Sequence, residues 1–210
     1  MSKYSPKEEQ ANIISHAIGL GLSFIALILL IIKASSHGGV KEIASFSIFG
    51  MSMIVLYAAS TIYHKEEDLE KRKKLRIVDH AAIYVLIAGS YTPFTMITLT
   101  DSMGWLVFGI AWGAALVGIV LKIFFTGKFT LISTLMYTLM GCIVFVDINA
   151  LTEKLPLEGL QWLFGGGVLY IIGAIAYVFK NVKFTHAIFH VFVLLGSFCH
   201  FMSIYLYVLE

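Results

Sequence analysis

Apolar residues run along this chain in seven stretches, each ended by a short polar or glycine-bearing break. An α-helix rises about 1.5 Å per residue, so about 20 apolar residues cross the hydrocarbon core of a bilayer. The pattern predicts spans at 12–33, 43–64, 78–98, 103–123, 129–149, 160–179 and 185–208. The expected fold class is all-α: a polytopic seven-transmembrane-helix bundle, one domain over residues 1–210. A six-span arrangement would require one of these segments to be re-entrant.

Between the second and third spans lies KEEDLEKRKKLR at 65–76, read as a short surface helix or a loop. Thr92–Pro93 allows a kink near the end of the third span, because proline removes a backbone donor. Gly109 with Gly113, and the run Gly165, Gly166, Gly167, are read first as close helix crossings and otherwise as a flexible cavity lining. Gly19 and Gly21 are read as packing positions. Trp105 and Trp162 fall near the outer interface, a depth that suits amphipathic rings.

Composition excludes a water-soluble domain with one anchor. The chain is 59% hydrophobic and 13% charged, against about 25% charged in soluble domains, and its mean hydropathy is +0.87. The polar start MSKYSPKEEQAN has no signal-peptide cleavage pattern and is expected to be retained. Cys142 and Cys199 fall inside spans and are expected as buried free thiols rather than a disulfide scaffold.

Charge orients the bundle. With seven spans, the N-terminus and the second, fourth and sixth loops share one side. That side receives 12 cations: Lys3, Lys7, Lys65, Lys71, Arg72, Lys73, Lys74, Arg76, Lys122, Lys128, Lys180 and Lys183. The other side receives 3, namely Lys33, Lys41 and Lys154. The positive-inside rule then puts the N-terminus in the cytoplasm and the C-terminus outside; a multi-pass protein of the plasma membrane is expected. The basic run 71–76 can attract anionic lipid on the cytosolic face. Without a soluble module it gives no support to nucleic-acid binding. Glycine-rich faces pack equally well within or between chains and specify no oligomeric state.

Histidines are expensive in lipid unless partnered or hydrated. His64 closes the second span, while His186 and His190 open the seventh in THAIFHVF. Residues four apart on a helix share one face, so one helix can offer both His186 and His190 to a single ion. HxxxH alone is weak, but three such histidines at one depth make a metal site the first hypothesis. A paired polar network holding the helices together is the alternative. Ser60 lies four residues before His64, and Asp79 and His80 open the third span at the same level. Asp79 can accept a proton from a metal-bound water or support a histidine; Ser60 can hold that water or bond to its own helix. His80 is assigned to the lining or to a supporting contact, with a ligand role in place of one of the other histidines as the alternative. His16 is read either as a supporting donor or as a polar group near the headgroups. His200 lies deeper along the seventh span and His37 in an outer loop. Three neutral histidines and a water fit zinc with one open position.

The chain resembles the hemolysin III family, within the superfamily of progestin and adiponectin receptors and alkaline ceramidases. The resemblance rests on HAIGLGLS at 16–23, STIYH at 60–64, DHAAIY at 79–84 and HAIFH at 186–190. It implies seven helices, a cytosolic N-terminus, and a zinc site held by His64, His186 and His190. Asp79 is implied as the carboxylate holding the water and Ser60 as its polar neighbour. The adiponectin-receptor branch carries a substantial cytosolic domain before its first span; only the short tail MSKYSPKEEQA precedes the first expected span here, so signalling through such a domain is not expected to carry over.

The expected function is a zinc-dependent membrane hydrolase acting on a lipid amide or ester that reaches the centre laterally. One alternative is a metal-stabilised receptor or regulator of membrane state. Another is the pore-forming or cytolytic activity carried in the family name, for which the chain offers no separate amphipathic segment.

Overall fold

The computed structural model describes residues 4–126, 130–178 and 182–209. Lys3, Lys128 and Lys180 of the charge count lie outside those residues, as do Phe129 and Phe179 at the ends of two expected spans. Among the described residues, seven helical segments are long and apolar enough to cross a membrane.

The first helix, α1 (Pro6–His37), starts earlier than its apolar run. Ser5 and Glu8 form a capping box and Pro6 occupies the first turn, so the polar start is wound into helix. α2 (Val40–Lys65) follows after Gly38 and Gly39. α3 (Leu69–Pro93) also begins ahead of its apolar run, because the Asp68 side chain accepts from the Lys71 backbone N–H at 2.8 Å. The segment 65–76 is thus neither a loop nor a separate surface helix: 69–76 are the first two turns of α3.

Regular α-helix ends at Pro93. The helix widens into a π-turn over Phe94–Thr98. Hydroxyls satisfy backbone there, with Thr92 donating to the Ala88 carbonyl and Thr95 to the Tyr91 carbonyl, each at 3.0 Å. α4 (Gly104–Phe125) runs back along α3, and the Trp112 indole donates to the Thr92 hydroxyl at 3.1 Å.

The fifth span is broken. α5 (Thr130–Gly141) passes into a 3-10 segment, Cys142–Asp147, and then α6 (Ile148–Lys154). Backbone polar groups in lipid need internal partners, and the Tyr91 hydroxyl provides several: it donates to the carbonyls of Met140 or Gly141 and accepts from Val144 N–H at 2.9 Å. α7 (Leu157–Val178) and α8 (Thr185–Tyr207) complete the bundle.

Polarity is arranged from the inside out. Ile14, Ile18, Leu22 and Phe124 are exposed, as suits a lipid-facing surface, while Asn12, His16, Ser60, His64, His190 and Ser203 are buried. Cys142 is exposed, correcting its expected burial, and Cys199 is half-buried; both thiols are free. The glycine reading needs correction too. A Cβ at Gly109 or Gly113 would meet nothing within 4 Å, so neither is a crossing among the described residues. A Cβ at Gly118 would lie 2.3 Å from the Tyr84 ring, and one at Gly166 2.3 Å from His200.

Replacing Gly118 by valine is therefore expected to force α3 and α4 apart, at a cost of about 1–3 kcal/mol. Gly109→Val should be close to neutral. Unfolding midpoints in detergent, measured side by side, test the contrast; equal midpoints would show that Tyr84 yields freely.

Candidate metal centre

Two helices, α2 and α8, bring three imidazoles to one end of the bundle. Each of His64, His186 and His190 is buried, and their ligand atoms lie within 4.8 Å of one another. His64 Nε2 and His186 Nε2 are 3.1 Å apart. A tetrahedral zinc with nitrogen arms of about 2.0–2.1 Å sets such atoms about 3.3 Å from each other, so the observed spacing is close to that of a shared ion. His186 and His190 stand on successive turns of α8, with ring centroids 4.5 Å apart.

The tautomers follow from what holds the other ring nitrogen. His64 Nδ1 lies 2.7 Å from Glu9 Oε2, so its proton points to the carboxylate and Nε2 presents a lone pair to the cluster. His190 Nδ1 donates to the Asn12 carbonyl at 3.3 Å, with the Ser15 hydroxyl also at 3.3 Å, again leaving Nε2 as the free lone pair. Histidine held by a carboxylate or carbonyl on one nitrogen is the usual way a protein aims the other at a metal. His186 rests on the Tyr4 ring, centroids 4.9 Å apart and nearly parallel, and its Nδ1 has no hydrogen-bond partner among the described residues. Without an ion, His186 can instead donate through Nε2 to His64.

Glu9 is the part of the site not anticipated from sequence. Its second oxygen pairs with Arg72, which also donates to the Glu66 carbonyl at 3.0 Å and lies over the Tyr63 ring. One carboxylate thus joins α1, α2 and α3. Next to it, Glu8 accepts the Phe184 backbone N–H at 2.8 Å. Phe184 has φ of 63°, a left-handed conformation unfavourable for a phenylalanine, so this contact fixes a strained entry into α8 just ahead of His186. A Glu–Glu–x–x–Asn–x–x–Ser–His spacing on one helix was the available signal: positions 9, 12 and 16 share a face.

The remaining expected residues separate into groups. His16 stacks on His190 at 3.5 Å between centroids and meets the Tyr57 ring edge-on at 5.1 Å. Asp79 and His80 are not among the clustered ligands; Asp79 Oδ2 lies 3.2 Å from His80 Nδ1. Ser60 is fully buried one turn before His64, and its hydroxyl bonds neither to its own helix nor to any other described residue. His200 lies elsewhere, edge-on to Tyr170.

The metal fit is tested by the polar atoms left over. Setting aside His80 Nδ1, which faces Asp79 Oδ2, eight buried side-chain N and O atoms lack a partner among the described residues, and five of them belong to Asn12, His16, Ser60 and His186. Each such atom costs about 1–3 kcal/mol if nothing fills the need. Their concentration around three converging lone pairs suits a guest ion and its water. A cavity of about 330 Å³ reaches this place, lined by His16, Asp79, His80, His186 and His190 at one end and by Phe94, Leu99 and Leu151 farther along.

Comparison with known proteins settles the kinship. The family model described as "Haemolysin-III related" matches residues 4–201. The chain belongs to the haemolysin-III-related family. It is 46% identical over 203 residues to "Hemolysin-3" of Bacillus cereus, covering 97% of this chain and 93% of that protein. It is 45% identical to the "Hemolysin-3 homolog" of Bacillus subtilis (strain 168), covering 97% and 96%. A more distant relative is the human "Monocyte to macrophage differentiation factor", 28% identical over 221 residues, covering 98% and 87%. Haemolysin-III membership agrees with the multi-pass helical architecture, and the three histidines of this member are placed so that they could hold a metal ion.

If Glu9 aims His64, Glu9→Ala should weaken divalent-metal binding by roughly ten- to a hundred-fold while the bundle stays folded. Competition against a fluorescent chelator in detergent measures this. Undiminished affinity would show that the His64–Glu9 contact only ties helices together.

Proposed function

We propose that this haemolysin-III-related protein is a zinc-dependent hydrolase of the plasma membrane, acting on an amide or ester bond of a lipid. The carrying observation is the buried cluster of His64, His186 and His190 at the end of a long apolar cavity that also holds Asp79. Zinc, when bound, supplies Lewis acidity and a water that loses its proton near neutral pH.

The chain's own residues would do the rest. Glu9 and the Asn12 carbonyl hold the His64 and His190 rings in the ligating tautomer. Asp79 takes up the proton released on attack, and its His80 neighbour steadies the carboxylate. The unpartnered hydroxyl of Ser60 is available to donate to the carbonyl oxygen as negative charge gathers there. The apolar reach of the cavity takes the acyl chain and keeps bulk water from the centre. The twelve-to-three cation asymmetry supports a cytoplasmic N-terminus, which puts this centre in the cytosolic half of the bilayer. Anionic lipid would meet the start of α3. There Arg72 is engaged by Glu9 and Lys73 by Glu70, leaving Lys71 and Lys74 as the cations for that contact.

A metal-stabilised receptor or regulator is the second reading, favoured by the way the cluster joins α1, α2 and α8. A cytolytic role rests on the name of the Bacillus relatives; the apolar lining of the cavity does not suit an ion path.

Metal content per chain, compared with His64→Ala and His190→Ala, tests the centre: near-stoichiometric zinc lost in both variants is expected. Asp79→Asn should keep the metal yet lower hydrolysis of long-chain amide or ester probes in nanodiscs by about 10²–10⁴-fold. Folded protein that stays metal-free after zinc addition would end the hydrolase reading. Metal-loaded protein that binds lipid without product would transfer support to the receptor.

A further inference from the structure

Two cations line the same cavity without an acidic partner. Lys122, on α4, is 4% exposed, and its ammonium donates to the Ser133 hydroxyl at 2.6 Å. Arg76, on α3, is half-buried. Among the described residues no carboxylate lies within 4.0 Å of either side chain. Both contribute to the cavity wall with Asp79, His80, His186 and His190.

Helix register puts them at the histidine end. α3 and α4 run antiparallel, with Trp112 bonded to Thr92 and Gly118 against Tyr84. Continuing that pairing places Lys122 level with His80, and Arg76 lies one turn further toward the mouth. Tyr137 joins the level from α5, its hydroxyl donating to the His80 carbonyl at 3.0 Å and its ring 5.8 Å from the Lys122 ammonium.

Lysine near the end of a spanning helix ordinarily extends its ammonium to the headgroups. Lys122 is turned inward instead, where an uncompensated charge is costly. Asp79 is the acid on the same wall, and it sits against His80 rather than against either cation. A guanidinium and an ammonium facing one cavity suit an oxyanion, which arginine can hold through two parallel bonds. Beyond them the lining is apolar, with Ile83, Leu86, Ile87, Phe94, Val107 and Leu151.

We propose that Arg76 and Lys122 bind the anionic end, carboxylate or phosphate, of a long-chain amphiphile whose tail occupies the cavity. This deepens the hydrolase reading by giving its substrate or product a negative charge beside the metal centre. It rests on that reading for its catalytic meaning but not for binding.

The test uses the full chain in neutral phosphatidylcholine nanodiscs, with empty discs subtracted. Binding of dodecyl phosphate, dodecanoate and dodecanol is measured for wild type, Lys122→Gln, Lys122→Arg and Arg76→Gln, with and without chelator. The anions are expected to bind at least about tenfold more tightly than dodecanol, chelator or not. Lys122→Gln, which keeps a donor for Ser133, and Arg76→Gln should each lose about tenfold of that preference, and Lys122→Arg should retain it. Preference for dodecyl phosphate over dodecanoate assigns the site to a phosphate headgroup, and the reverse order to a fatty carboxylate. Equal binding of the anions and the alcohol overturns the proposal. So does anion binding that vanishes with chelator but is untouched by Lys122→Gln, since the metal then holds the anion. Zinc loss in His64→Ala reports on the hydrolase reading separately.

Discussion

The contact between Glu9 and His64 organises the polar end of this bundle. A carboxylate and an imidazole removed from water each need a partner, and losing one leaves the other stranded. Glu9 answers two such needs at once, His64 with one oxygen and Arg72 with the other. Three helices are thereby held at a fixed rotation, and His64 is held so that its remaining lone pair faces His186. Asn12, one turn on, performs the same service for His190 through its backbone carbonyl. The first turns of α1 are in effect the floor on which the histidines stand.

Lipid imposes the complementary constraint. It rewards an apolar exterior but gives helices little reason to adhere, so close packing and internal polar contacts must hold them. Glycines make many of the close approaches, among them Gly19 on Tyr57, Gly89 on Ser52, Gly118 on Tyr84 and Gly166 on His200. Tyr57 and Tyr170 meet over the Ser197 hydroxyl at 2.8 and 2.9 Å, joining α2, α7 and α8 at mid-depth. The cavity lies among these contacts, with Asp79, His80, His186 and His190 at one end. That asymmetry is what the proposed lipid reading draws on, with apolar wall for a tail and polar groups for its linkage.

Spans and histidine spacing were legible because they depend on composition and helical period, which a sequence displays directly. The start of α1 was not. Glu9 and Asn12 sit in a polar stretch that hydropathy assigns to water, and only the Ser5–Glu8 capping box shows it to be helix. The basic segment after α2 was obscured in the same way, its helicity depending on the Asp68 cap rather than on apolar periodicity. The spacing of Gly109 and Gly113 carries no information about which helix face meets a neighbour, and theirs meets none. Nor does composition show the break in the fifth span, since Cys142 to Val146 is as apolar as any helix there. What permits the break is Tyr91, some 50 residues away in the chain.

The joining of residues 9–16 to residues 186–190 has a consequence for how the protein is made. Chains emerge from the ribosome N-terminus first, so α1 enters the bilayer with Asn12 and His16 while α8 is still untranslated. These groups wait through the synthesis of about 170 residues for their partners. An incomplete chain can hold His64 against Glu9 but lacks His186 and His190, the other two members of the cluster. The centre therefore closes last, when the final span docks against the first.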